Sequence, residues 1–159
     1  MQGLADILNA VERTGKWPEA TPTAKAVFLP KAEDSTADPL SFRMLLILPT
    51  LYRRWASTRL RSMTAWIEKW STEEMFAGTS GQGAQDGWYD TAVQAEYAEV
   101  MGVGFTGTTA DIHKCFDQIQ RPAVYRLARE AGIPSRVLTA YMAFQESLVA
   151  RNTLAGRIG

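Results

Sequence analysis

The sequence predicts a mixed α+β fold, and three features predict it. Apolar residues recur at helical spacing in several stretches. Two short apolar runs flank a polar, acidic loop, the pattern of a β-hairpin. A run rich in Gly and Thr, poor in helix formers, reads as a later strand. The predicted order is α, β, β, α, α, β, α, α, with strands and helices intermixed. A length of 159 residues suits one domain or part of a larger one, and 46% apolar content is enough for a core. The single cysteine excludes a disulfide scaffold and a multi-cysteine zinc site.

Leu4, Ile7, Leu8 and Val11 form the first helical stripe, with Gly15 as its stop. Residues 16–23 hold two prolines and read as a loop. The hairpin is expected over 25–48, with arms ending in Leu29 and starting at Phe42. Tyr52, Ala56, Leu60, Met63, Ile67 and Trp70 make one stripe of a long basic helix over 50–70. A glycine-rich loop follows, then a helix over 86–101 with Tyr89, Val93, Tyr97 and Val100 on one face and Gly102 as its stop. Residues 103–110 form the predicted strand. Pro122 and Pro134 sit where two helices could start, and Gly132 where the first could stop. No apolar stretch is long enough to span a bilayer and no signal peptide is visible, so the expected location is intracellular, cytoplasmic or nuclear.

The formal net charge is zero, but it is a cancellation. Residues 42–62 carry five Arg and no acid, whereas residues 63–118 carry two basic and nine acidic groups. A basic block beside an acidic one suits a protein that holds polyanions and cations in adjacent places. Ordinary surface fluctuation produces such blocks too.

The most informative stretch is Thr109-Ala110-Asp111-Ile112-His113-Lys114-Cys115-Phe116-Asp117-Gln118-Ile119. A β-prone run leading into Asp111 would place a carboxylate at a strand end, and a carboxylate is a hard oxygen ligand suited to Mg²⁺. The bland reading is that Asp111 caps the following helix. Cys115 reads as a buried small hydrophobe, His113 as a solvent-facing helix residue, Asp117 as structural, and Phe116 could be core. The Arg-rich helix, with Arg53, Arg54, Arg59 and Arg61, could be only a solvated face.

Around that stretch stand Lys25-Ala26-Val27-Phe28-Leu29-Pro30-Lys31, then an acidic loop, then Asp38-Pro39-Leu40-Ser41-Phe42-Arg43. The Leu51-Tyr52-Arg53-Arg54-Trp55 helix, the glycine-rich loop, and Ala131-Gly132-Ile133-Pro134 complete the set. In this order and spacing the chain resembles the reverse transcriptases of non-LTR retrotransposons and group II introns, which are RNA-directed DNA polymerases.

The resemblance implies partial fingers and palm of a right-hand polymerase, helix-rich, with a fingers β-hairpin and a palm strand. Residues 1–102 would be the fingers-like region and 103–159 the first part of the palm. Asp111 matches the first catalytic aspartate, which binds two Mg²⁺ ions in the full-length family, and the carbonyl of Ile112 matches a secondary ligand. Lys31 and Arg43 match the residues that hold the triphosphate of the incoming deoxynucleotide. Phe116 matches the aromatic that excludes a ribose 2′-OH. Arg53, Arg54 and Arg61 lie in the region that runs near the RNA template and DNA primer, where phosphate contacts would use them. A two-metal mechanism activates the attacking 3′-OH with one ion and stabilises pyrophosphate with the other.

Two departures bear on activity. The family needs a paired Asp-Asp on a second strand-turn-strand element, and this sequence has no Asp-Asp. The Pro-Gln-Gly segment that follows the palm helices is absent too, and so is a thumb. The expectation is therefore a polymerase fragment, inactive alone, with at most weak Mg²⁺ binding. The alternative is a non-catalytic remnant that binds RNA or protein through the Arg-rich helix.

Overall fold

The computed structural model describes residues 2–31, 41–112, 115–154 and 157–158; the side chains of Phe116, Asp117, Leu154, Arg157 and Ile158 lie outside that description. The chain is an α+β fold that divides into two compact units. The first joins Met1–Arg59 to Arg121–Gly159, and the second is Leu60–Gln120.

In the first unit, α1 spans Gln2–Thr14. It ends where Gly15 takes φ 69°, a left-handed conformation that costs a glycine nothing. The hairpin forms as the sequence predicts, with β1 at Thr23–Pro30 and β2 at Phe42–Ile47 paired antiparallel from Lys25↔Ile47 to Pro30↔Phe42. Its connecting loop, residues 32–40, is outside the described residues. Next come α2 at Thr50–Ser62, α5 at Arg121–Glu130 and α6 at Ser135–Ser147, with Pro122 in the first turn of α5 and Pro134 just ahead of α6.

Two strands after α6 have no counterpart in the sequence reading. They are β3 at Val149–Leu154 and β4 at Arg157–Ile158. The sheet order is β2-β1-β3-β4, with β3 parallel to β1 and antiparallel to β4. The run Val149 to Leu154 contains Arg151 and Asn152 and so lacks an apolar signature. A partner already in place selects it as a strand, which local propensity does not show.

The core of this unit is aromatic. Tyr52 stacks on Phe144 with ring centroids 3.5 Å apart, and Trp17 packs edge-on against Phe144 and Trp55 at 5.5 and 5.4 Å. Trp17 sits in the segment read as a loop; its indole N–H donates to the Ala140 carbonyl at 2.9 Å. Such pairs add about 0.5–1.5 kcal/mol each beyond area burial. Val11, Ala24, Ala26, Val137, Leu138 and Ala140 fill the remaining space. Burial also pushes the Tyr52 phenol above its ordinary pKa. Tyr125 donates to Glu146 Oε1 at 2.7 Å, and its pKa is pushed up to about 12, by burial first and by the bond to the carboxylate second.

The second unit corrects the long helix expected over 50–70. Helix α2 stops at Ser62, and Met63, with φ −101° and ψ 1°, separates it from the one-turn α3 at Thr64–Ile67. Thr64 donates its hydroxyl to the Arg61 carbonyl at 3.1 Å, the local bonding by which Ser and Thr compete with a continuing helix. The expected stripe fails with it, because Leu60 and Trp70 are exposed. The residues of α2 that are buried are Tyr52 and Trp55.

Helix α4 spans Ala84–Met101 and begins inside the segment read as a glycine-rich loop. The Asp86 carboxylate accepts the Gly83 N–H at 2.7 Å and caps it. Gly102, φ 65°, ends it as the sequence predicts. The Tyr89, Val93, Tyr97, Val100 face is exposed, and Ala98 is the buried residue of the helix.

The strand predicted over 103–110 does not form. Those residues carry no regular structure and are exposed. A strand needs a ladder partner, and none of the described strands pairs with this segment. Gly102, Gly104 and Gly107 raise the entropy cost of straightening it without one. A 3₁₀ turn at Cys115–Gln118 closes the unit.

Among the described residues, no helix is long and apolar enough to cross a membrane.

Candidate nucleotide and nucleic-acid contacts

Lys31 and Arg43 are set by the hairpin register. Directly opposed residues of an antiparallel ladder share a face, and Leu29 stands opposite Arg43. The pairing continues one step further, where the Lys31 N–H donates to the Ser41 carbonyl at 2.8 Å. Lys31 is thus a diagonal neighbour of Arg43 on one face, and such neighbours stand about 7–8 Å apart. Both residues are exposed. An ammonium and a guanidinium fork reaching from adjacent strands can close on one phosphate group, the guanidinium bidentately.

The Arg block on α2 divides by environment. Arg53, Arg54 and Arg61 are exposed, and Arg54 and Arg61, seven residues apart, share a helix face. Arg59 is half-buried and turned inward, paired with Glu12. Glu12 is almost fully buried; its Oε1 also accepts the Trp55 indole N–H at 2.8 Å, and Arg136 Nε stands 3.6 Å from its Oε2. Sequence reasoning missed this group. The available signal was a lone Glu one residue after Val11, the inward end of the α1 stripe. An open hollow lined by Asn9, Arg13, Ser135, Arg136 and Thr139 reaches Glu12 from outside, but that carboxylate already serves α2.

Asp111 and Ile112 belong to the second unit and are exposed. The strand end expected to hold Asp111 rigidly is absent, so its backbone lies in the irregular 103–112 segment. His113 and Lys114 are outside the described residues, as is the side chain of Phe116, whose backbone lies in the 3₁₀ turn. Cys115 is a correction: it is a free, exposed thiol, not a buried hydrophobe. Among the described residues no three His, Cys, Asp or Glu side chains gather to hold a metal ion. One exposed carboxylate does not fit a two-Mg²⁺ centre, which needs bridging ligands on rigid elements.

The sequence matches no protein-family model and no curated protein.

Proposed function

We propose that this chain is the nucleotide-gripping part of an RNA-directed DNA polymerase of the non-LTR retrotransposon and group II intron type, inactive by itself. The observation that carries the reading is the pairing of Lys31 with Arg43 on one open face of the hairpin. The ordered run of motifs that ends at Asp111 supports it. In this reading Lys31 and Arg43 neutralise and orient the triphosphate of a deoxynucleotide, and Arg53, Arg54 and Arg61 meet template and primer phosphates. Asp111 supplies one metal-binding carboxylate, and the Asp-Asp pair that would complete a Mg²⁺ site is not in this sequence. Chemistry is therefore absent while grip is retained.

Primer extension on an RNA template with Mg²⁺ and deoxynucleotides tests the inactivity. No incorporation above a protein-free control is expected, and template-dependent incorporation by the purified chain overturns it.

The exposure of three Arg on α2 and the lack of a metal-holding cluster among the described residues favour one other reading, a non-catalytic RNA-binding remnant. It predicts a salt-dependent RNA affinity that falls in Arg54→Ala/Arg61→Ala and is unchanged in Asp111→Asn, with no deoxynucleotide binding at all.

A further inference from the structure

The register of β3 places a second cation pair on the sheet. Lys25 stands directly beside Arg151 across the parallel β1–β3 ladder. Both are exposed, and among the described residues neither side chain has an ion-pair partner. Adjacent strands lie about 4.8 Å apart, and like charges placed directly opposite destabilise a sheet. The fold therefore bears a repulsion here that an opposite charge on either strand would remove.

Alternation fixes what else shares that face. Along β1 it carries Thr23, Lys25, Val27 and Leu29; along β2, Arg43, Leu45 and Ile47; along β3, Val149, Arg151 and Thr153. No acid occurs among these residues, and no aromatic. Arg43 is opposite Leu29, four residues along β1 from Lys25, or roughly 13 Å at the usual strand rise. The cations thus mark the two ends of a narrow strip that follows one strand. A linear polyanion meets both ends, whereas a single small anion meets one.

We propose that this face binds the backbone of a single RNA strand, with one phosphate straddling Lys25 and Arg151 and the chain running along β1 toward Arg43. With no aromatic ring to stack on, the contact is with phosphates and is insensitive to sequence. The aliphatic side chains between the cation pairs form its floor. The proposal does not depend on the polymerase reading, because a chain that never holds a triphosphate would still show it.

The test measures binding of a fluorescent oligouridylate to the full chain across a salt series. Lys25→Ala/Arg151→Ala is expected to weaken binding about tenfold and to reduce the slope of log affinity against log salt by about 0.7, for one phosphate of a single strand no longer neutralised. Lys25→Glu separates binding from folding. It places opposite charges across the ladder, so the thermal midpoint should rise by about 1–3 °C while RNA affinity falls at least as far. Unchanged affinity and slope in both variants overturns the proposal. So does affinity that follows the thermal midpoint instead of the charge. Phosphatidylserine vesicles run in parallel provide the last arm: vesicle binding lost in the variants with RNA binding intact assigns the face to an anionic membrane and overturns it as well.

Discussion

The two units of this protein use the same kinds of sequence signal with opposite results. Residues Met1–Arg59 with Arg121–Gly159 bury a connected aromatic core around Phe144, Tyr52 and Trp55. Residues Leu60–Gln120 bury Ala98, while Trp88 is 78% and Val100 82% exposed. Helix α4 repeats apolar residues at helical spacing but spreads apolar side chains around its whole circumference, whereas α1 concentrates them on one side. Spacing alone does not make a helix amphipathic, and only a facing surface makes a stripe a core. In the first unit, α6 lies against α1 and α5, and Ala24 and Ala26 of β1 are buried. The described residues of the second unit offer α4 no comparable face.

Core truncation is expected to separate the two units most sharply. Phe144→Ala should cost about 3–5 kcal/mol in urea unfolding, because it removes the ring stacked on Tyr52 and leaves a cavity. Trp88→Ala, a larger deletion on an exposed helix face, should stay within about 0.5 kcal/mol. Equal costs would mean that the units do not differ in packing.

Carboxylates give the next contrast. Glu12→Gln should destabilise the first unit by about 1–3 kcal/mol, since Arg59 and the Trp55 indole lose their charged acceptor in a buried place. Glu74 of the second unit is fully exposed, and a hydrogen bond from Thr72 holds its carboxyl below the ordinary value. Glu74→Gln should leave the urea midpoint unchanged. A similar loss in both would remove the distinction between a carboxylate that joins α1 to α2 and one in solvent.

The smallest expected effect is in alkali. A phenol whose folded pKa is raised contributes stability that is complete below the unfolded value near 10 and is lost as pH rises through about 12. Stability should therefore decline across that window, and Tyr125→Phe should flatten the decline. Thermal midpoints measured from pH 9 upward check it.

Legibility in the sequence followed whether a signal was local. The hairpin could be read because Pro30, the acidic loop and two apolar runs all lie within thirty residues. The stops at Gly15, Gly102 and Gly132 could be read because each is a backbone requirement, met at φ 69°, 65° and 79°. Strand β3 could not, since its pairing with β1 joins residues more than a hundred positions apart and its own composition is polar. Sequence separation also hid the Glu12–Arg59 pair, 47 positions apart, and the packing of Trp17 on Phe144. The strand expected before Asp111 failed for the converse reason. Its composition was permissive, but permissive composition does not supply a ladder partner. Of the candidate site, the hairpin cations were legible by motif, and the face they share emerges only from register.

Lys31 and Arg43 are proposed to act together on a triphosphate, and direct binding measures that. Titration of the purified chain with a Mg²⁺–deoxynucleoside triphosphate should give saturable binding that Lys31→Ala and Arg43→Ala each reduce strongly and that Arg53→Ala/Arg54→Ala leaves unchanged. Binding that survives loss of both hairpin cations, or no binding at any concentration by a chain that still unfolds cooperatively, would contradict it.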